Sequence, residues 1–138
     1  MITASDIMSE EVVVIYDDML MSQVAHLMLR DRVSSFPVVN KAMGIVGIIT
    51  MTDFFMLISN ASHHEKDEPF TRQIARFKEM EVGKVMTKNV ISITPQTTIT
   101  EIVHLVVDKG VHAFPVLENG KLVGIVGRHD ILNAIFSY

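Results

Sequence analysis

The sequence predicts an α+β fold made of two similar βαββα halves packed about a pseudo-two-fold axis. The first observation is an internal repeat, since residues 7–37 align without a gap on residues 85–115 when the sequence is shifted by 78 positions. The second is that both copies show the same succession of strand-like and helix-like apolar patterns. The third is the length of 138 residues, which suits one compact domain or two small halves that share one core.

Each copy begins with a β-branched run that predicts a strand, at residues 12–15 and 90–93. An amphipathic helix follows, because apolar residues recur at helical spacing. In the two copies these residues are Met21, Val24, Ala25, Met28 and Leu29, then Ile99, Ile102, Val103, Val106 and Val107. In the second copy we expect this helix to begin at Thr98 or Thr100 and to stop at Gly110.

The rest of each copy predicts two strands and a closing helix. The strands fall at residues 36–39 and 43–49, and again at residues 114–117 and 122–126. Pro37 and Pro115 favour an edge or strand-start position, because proline has no N–H to donate to a sheet. The closing helices are predicted to begin near Met51 and near Arg128.

The segment between the copies predicts a linker with one helix. Residues 59–68 are polar and predict a solvated linker, residues 70–80 carry apolar side chains at helical spacing, and residues 82–86 predict a short turn. The predicted organisation is therefore repeat 1 at residues 1–60, a linker with a short helix at 61–81, and repeat 2 at 82–138.

Composition excludes several classes of function. The net charge of −4, with no basic tract, gives no indication of nucleic-acid binding. The absence of cysteine removes disulfides and thiolate metal sites and fits a reducing cytoplasm. No apolar run approaches the ~18 residues that span a bilayer, and the first residues show no signal-peptide pattern. We therefore expect a cytoplasmic protein without nucleic-acid or membrane partners.

Three ordered motifs, each present twice, resemble those of CBS (cystathionine β-synthase-type) repeats. They are Ile7-Met8 and Val85-Met86, then Phe36-Pro37-Val38-Val39 and Phe114-Pro115-Val116-Leu117, then the junctions from Gly47 to Asp53 and from Gly124 to Asp130. The resemblance implies a Bateman module of the stand-alone bacterial or archaeal type. Members of that family bind AMP, ADP, ATP or S-adenosylmethionine in two clefts between the repeats, pair into disc-shaped dimers and regulate other proteins.

The junction of the first copy suits a nucleotide on chemical grounds. A helix that begins at Thr50 exposes backbone N–H groups and the positive end of its dipole, which attract phosphate. Asp53, in the first turn, can accept hydrogen bonds from the two vicinal hydroxyls of a ribose. The alternative is that Thr50-x-x-Asp53 only caps the helix. Both interpretations remain open at this point.

The second copy departs from the pattern because Gly127 replaces the hydroxyl residue. Arg128 and His129 beside it are candidates for contacts with phosphate or solvated side chains, and Asp130 is the second candidate for ribose. Comparison with the gamma subunit of the AMP-activated kinase implies that His112 reaches phosphate, with a surface histidine as the alternative. The uncharged Ser34 is its equivalent in the first copy. We expect two unequal sites, with the Asp53 site better formed.

The resemblance assigns residues of both repeats to each site. The first site is predicted to contain Ile49, Thr50, Thr52, Asp53, Ile91, His112, Ala113 and His129. The second is predicted to contain Val13, Ser34, Ser35, Val126, Gly127, Arg128 and Asp130. In this interpretation backbone groups of Val13 and Ile91 lie near the adenines.

The predicted function is a non-catalytic sensor that binds adenine nucleotides or S-adenosylmethionine, requires no cofactor, forms a homodimer and signals to a regulated protein. The alternative is a ligand-free interaction module that dimerises through its closing helices at residues 54–58 and 131–136. No nucleophile–base pair or P-loop predicts an enzyme. His26 and His104 are predicted to be packed or half-buried histidines rather than ligands. A metal site at His63-His64-Glu65 is disfavoured because no matching set lies elsewhere.

Overall fold

The computed structural model describes residues 1–64 and 68–137, with the side chains of residues 61–64 excluded. Along the chain the elements are α1 (Ala4–Ile7), β1 (Ile15–Tyr16), α2 (Met21–Asp31), β2 (Ser35–Val39), β3 (Ile45–Thr50), α3 (Met51–His64), α4 (Phe70–Lys78), a 3-10 turn (Val82–Lys84), α5 (Ile99–Lys109), β4 (Ala113–Glu118), β5 (Lys121–Gly127) and α6 (Arg128–Phe136). They form two compact units. The first unit is Val13–Asn89, and the second combines Met1–Val12 with Val90–Tyr138.

The first unit contains a three-stranded sheet in the order β1-β2-β3. Its strand β1 runs parallel to β2, with Ile15 opposite Val38, and β2 runs antiparallel to β3. Helix α4 packs against both α2 and α3. The buried core consists of Ile15, Met21, Val24, Met28, Phe36, Val38, Ile49 and Val82.

The second unit contains the β4–β5 hairpin, with Ile93 bridging to Val116 in a parallel direction. Thr98 caps α5 by accepting a hydrogen bond from the Glu101 N–H, and Gly110 ends the helix with a φ of 65°. Both ends are as predicted. The buried core consists of Ala4, Ile93, Ile102, Phe114, Val116, Val126 and Ile131.

The predicted first strand of each repeat is largely wrong. Instead of residues 12–15 the strand is Ile15–Tyr16, and within residues 90–93 only Ile93 forms a bridge. The prediction rested on β-branched composition, but a strand also requires a neighbour that supplies hydrogen bonds. Val13 is 46% exposed, and the boundary between the two units falls beside it.

Two other boundaries differ from the prediction. Helix α3 continues to His64, so residues 59–64 are helical rather than part of a linker, while residues 65–67 lie outside the described chain. Strand β3 begins at Ile45 because Met43 adopts a φ of 64° within the preceding turn. The helix predicted at residues 70–80 is present as α4, and α3 and α6 begin at Met51 and Arg128 as expected.

Pro37 lies inside the central strand β2, not at an edge or a strand start. The structure accommodates it because the pairing of β1 with β2 begins only at Val38. The missing N–H of Pro37 therefore leaves no gap in that ladder. Pro115 lies in β4, which is an edge strand of the two-stranded β4–β5 sheet, as predicted, and its carbonyl accepts a hydrogen bond from the Ile93 N–H at 3.0 Å.

The short N-terminal segment of each repeat packs on the hairpin of the other repeat. In the first unit Thr87 bridges to Ile48, and a Cβ added to Gly47 would lie 2.5 Å from the Met86 sulfur. In the second unit Ser9 bridges to Ile125, and Met8 approaches Gly124 equally closely. Each compact unit therefore contains this short segment from the other sequence repeat. The repeat bounds at residues 1–60 and 82–138 remain a prediction.

Candidate functional site

The first junction lies where β3 ends at Thr50 and α3 begins at Met51. The Thr50 N–H donates to Asp53 Oδ2 at 2.8 Å, and the Thr50 hydroxyl donates to the same oxygen at 3.2 Å. In return the Asp53 N–H donates to Thr50 Oγ1 at 3.3 Å. This is a reciprocal capping box, so Asp53 does cap the helix whatever else it binds.

The second carboxylate oxygen of Asp53 is also engaged. The hydroxyl of Thr87 donates to Asp53 Oδ1 at 3.0 Å. Sequence reasoning missed Thr87, because its contact spans 34 residues of the chain. The available signal was its place directly after the Val85-Met86 motif.

Six predicted residues meet at this end of the β2–β3 hairpin. Ser35 pairs with Thr50, and the Met51 N–H donates to the Ser34 carbonyl at 3.0 Å. Ile49 is fully buried, whereas Thr52 is exposed in the first turn of α3 beside Asp53. The seventh predicted residue of this unit, Val13, lies two positions before β1 and is exposed.

The second junction uses one hydrogen bond where the first uses several. The Gly127 N–H donates to Asp130 Oδ2 at 2.7 Å, and Gly127 has no hydroxyl to add. Its φ of −106° is an extended conformation that any residue adopts. Within the described residues, no hydrogen bond to Asp130 Oδ1 is present, and Ser9, the equivalent of Thr87, bonds Ile125 through its backbone.

The second junction also carries positive charge. Ala113 pairs with Gly127, so His112 and Arg128 extend from the same end of the β4–β5 hairpin. Both are exposed, as is His129, and Arg128 Nε donates to the Val111 carbonyl at 3.4 Å. This exposed group of donors suits an anion, while the equivalent positions of the first unit are the uncharged Ser34, Met51 and Thr52. Of the other predicted residues, Val126 is buried and Ile91 is half-buried.

Asp130 shares a cavity of about 310 Å³ with a second carboxylate, Asp6. The pKa of Asp6 lies below its ordinary value because the Thr3 backbone N–H donates to it, at 2.8 Å. Asp6 and Thr3 thus form a capping pair with the same N–H to carboxylate distance as Thr50 and Asp53. Capping geometry alone therefore does not distinguish a ligand site from an ordinary helix start.

The other histidines lie on helices. His26 and His104 are both exposed, on α2 and α5, so the prediction of packed or half-buried histidines is wrong. The side chains of His63, His64 and Glu65 lie outside the described residues. In the part of the chain that is described, no group of three His, Asp or Glu side chains is placed to hold a metal ion, and no helix there is long and apolar enough to cross a membrane.

Each unit therefore collects its own predicted residues at the end of a hairpin. The first unit assembles Ser34, Ser35, Ile49, Thr50, Thr52 and Asp53, and the second assembles His112, Ala113, Val126, Gly127, Arg128, His129 and Asp130. The two predicted sites each combine residues of both units, and those combinations remain a prediction.

Comparison with known proteins decides the family. A sequence model of the CBS domain matches residues 4–60 and residues 82–137. The chain belongs to the CBS-domain family. Over 152 aligned residues this CBS pair is 30% identical to the uncharacterized protein MJ1426 of Methanocaldococcus jannaschii, with 94% of this chain and 89% of that protein covered.

Solved CBS structures share the fold. CBSX2, crystallised in complex with AMP, superposes with a TM-score of 0.79 at 20% identity, covering 98% of this chain and 96% of that one. The CBS domain pair of protein MJ0100, in complex with 5-methylthioadenosine and S-adenosyl-L-methionine, gives a TM-score of 0.74 at 20% identity, covering 96% and 94%. At such identities the likeness shows the fold alone, and the predicted α+β CBS-pair fold is confirmed.

Proposed function

We propose that this CBS pair is a non-catalytic sensor that binds an adenine nucleotide at its strand–helix junctions and signals its occupancy to a partner protein. The observation that carries the proposal is the equivalent placement of Asp53 and Asp130. Each is bonded to the last strand N–H before a closing helix. Two carboxylates at matching helix starts supply the same chemistry twice in one chain.

The proposed roles follow from the polar groups at each junction. The carboxylate accepts hydrogen bonds from the two ribose hydroxyls, and the helix N-terminus attracts phosphate. His112, Arg128 and His129 add donors for the phosphate, and all three are exposed. The apolar strands that lead to the two junctions flank the adenine, and their residues Ile49 and Val126 are buried in the cores.

The ligands of the two structural neighbours support an adenosine compound. AMP, 5-methylthioadenosine and S-adenosyl-L-methionine all contain adenosine and differ at the 5′ position. The carboxylates of Asp53 and Asp130, which we propose bind ribose hydroxyls, fit the adenosine part that these ligands share. The three basic side chains of the second unit favour phosphate at the variable part, so we propose AMP, ADP or ATP ahead of S-adenosylmethionine, with no cofactor required.

Isothermal titration calorimetry with AMP, ADP, ATP and S-adenosylmethionine tests this function. We expect heat of binding for at least one phosphate ligand, weakened about tenfold or more by Asp53→Ala or Asp130→Ala, because a hydrogen bond to a charged group contributes about 1.5–3 kcal/mol. Glu101→Ala is the matched control, since Glu101 forms a capping pair with Thr98 at the start of α5 and belongs to neither junction. Absence of heat at millimolar concentrations of every ligand would contradict the proposal.

The phosphate assignment has its own test. Arg128→Gln removes the charge of an exposed side chain and is expected to weaken AMP binding while leaving adenosine binding unchanged. Lys109→Gln removes an exposed charge from the last turn of α5 and serves as the control. Equal losses for AMP and adenosine in Arg128→Gln would assign this side chain a structural role instead.

Exposed apolar side chains on the closing helices favour a second candidate, a dimerisation module with empty junctions. Phe55 is 64% exposed on α3, and Leu132 and Phe136 are 57% and 76% exposed on α6. We propose a homodimer in either case, and a light-scattering mass of one chain at micromolar concentration would contradict it. Mass spectrometry of purified protein separates the two candidates by the presence or absence of retained nucleotide. That the chain is cytoplasmic and not an enzyme remains a prediction.

A further inference from the structure

The first unit contains an apolar cavity of about 320 Å³ between α2, α3 and α4. Its walls are mainly the side chains of Ala25, Leu29, Phe54, Leu57, Ile74 and Phe77. None of the predicted nucleotide-site residues lines this cavity. We propose that it binds a small amphipathic carboxylate, such as a medium-chain fatty acid.

The cavity exists because α4 packs over a groove that has a small residue in its wall. Ile74 and Phe77, three positions apart, face α2 and α3 from α4, while Ala25 on α2 contributes only a methyl group. The equivalent of Ala25 on α5 is the larger Val103. A volume of about 320 Å³ lies at the lower end of the range for small-molecule sites.

Size sets the apolar body of the ligand. At about 30 Å³ for a group the size of a water molecule, the cavity holds about ten non-hydrogen atoms. Eight of its eleven lining side chains are apolar. An eight-carbon carboxylate has the matching size and leaves one charged end for the rim.

The charge of the polar lining residues indicates the head group of the ligand. The three polar lining residues are Ser22, His26 and Lys78, and none of the lining side chains is acidic. Lys78 is exposed in the last turn of α4, and within the described residues it has no ion pair. A lysine and two hydrogen-bonding side chains beside an apolar cavity complement a carboxylate rather than an amine or an uncharged group.

The acidic residues of the three helices do not neutralise this rim. In the described parts of α2, α3 and α4 they are Asp31 and Asp53. Asp31 forms an ion pair with Arg30 at 2.9 Å, and Asp53 accepts hydrogen bonds from Thr50 and Thr87. Neither carboxylate lines the cavity.

The proposal is tested by titrating the full chain with octanoate, 1-octanol and octylamine, using calorimetry and amide NMR shifts. We expect octanoate to bind once per chain, to shift amides of α2, α3 and α4, and to bind at least fivefold more tightly than octanol or octylamine. Affinity should rise about fourfold per methylene from hexanoate to octanoate. Octanol or octylamine binding as tightly as octanoate, or shifts centred on α5 and α6, would overturn the proposal.

Variants test separately how the apolar chain and the carboxylate head group of the ligand contribute to its affinity. Lys78→Gln is expected to weaken octanoate about fivefold and leave octanol unchanged, whereas Lys78→Arg keeps the octanoate affinity. Ala25→Leu should fill the cavity and abolish both, with Val103→Leu as the matched control on α5. Lys78 is exposed, so its variants keep the fold, and an unchanged octanoate affinity in Lys78→Gln overturns the assignment. If octanoate does not bind and Ala25→Leu alters the light-scattering mass, the surface is a contact between copies and the proposal is wrong.

Discussion

The two strand–helix junctions share one sequence pattern but hold their carboxylates differently. Asp53 accepts hydrogen bonds on both oxygens, from Thr50 and from Thr87. Asp130 accepts on one oxygen, from the Gly127 N–H, within the described residues. Asp53 therefore accepts more hydrogen bonds than Asp130 for two reasons: Gly127 lacks the hydroxyl of Thr50, and within the described residues Ser9 does not make the hydrogen bond that its equivalent Thr87 makes.

This difference bears on which site binds more readily. The Thr87 hydroxyl already occupies one acceptor position of Asp53 Oδ1, so a ribose hydroxyl there either uses the second lone pair or exchanges with Thr87. Asp130 Oδ1 needs no such exchange, and the basic side chains belong to its unit. The expectation that the Asp53 site is the better formed remains a prediction, and the geometry gives an argument for the second junction.

The largest expected effect on the free energy of unfolding comes from the two cores. It tests whether the two units are packed equally well although their junctions differ. Phe36 and Phe114 occupy the same repeat position and are 2% and 0% exposed. We expect Phe36→Ala and Phe114→Ala each to lower the free energy of unfolding by about 3–5 kcal/mol, through lost burial and a cavity. Urea unfolding followed by circular dichroism measures both. A clear inequality would show that the halves differ in packing as well as in polar contacts.

The next effect concerns the glycines against which the short N-terminal segments of the repeats pack. A Cβ on Gly47 would lie 2.8 Å from the Thr87 carbonyl oxygen, whereas a Cβ on Gly124 would lie 3.1 Å from that of Ser9. Backbone cannot move as easily as a methionine side chain, so we expect Gly47→Ala to cost about 1–3 kcal/mol and Gly124→Ala less. Thermal unfolding of the two variants checks the order, and the reverse order would contradict it.

A smaller effect comes from the caps. Thr50→Ala removes the hydroxyl that bonds Asp53 and is expected to cost about 1 kcal/mol. Gly127→Thr should stabilise by about 0.4–1 kcal/mol, because the extended φ of −106° suits threonine and its Cβ would lie 3.6 Å from Asp130 Oδ2. Denaturant midpoints measure both changes. Loss of stability in Gly127→Thr would show that this junction rejects a side chain.

The smallest expected effect on stability comes from the helix cap that Thr3 and Asp6 form at the start of α1. The Thr3 N–H lowers the pKa of Asp6 in the folded chain, so the stability it contributes is present above the ordinary value of 3.8 and is lost as pH falls through the lowered pKa. Asp6→Asn should therefore lower the Tm slightly at pH 7, and this difference should shrink below pH 3.8. Tm values between pH 7 and pH 2 check this, and a difference that is independent of pH would contradict it.

The sequence alone predicted what local patterns control. The repeat, the helix start at Thr98 and stop at Gly110, and the junctions before Met51 and Arg128 all depend on residues within a few positions of each other. The ordered motifs in both copies also identified the family. Capping and periodicity are short-range effects, so one chain displays them without any tertiary information.

Only the tertiary structure decided which of two chemically equivalent segments packs where. Met8 and Met86 carry the same pattern, and the sequence cannot indicate that Met86 lies on Gly47 while Met8 lies on Gly124. Long-range contacts also placed Thr87 on Asp53, and the packing of α4 against α2 and α3 formed the cavity. These contacts join residues distant along the chain, and their free energy depends on burial and partner geometry rather than on local composition.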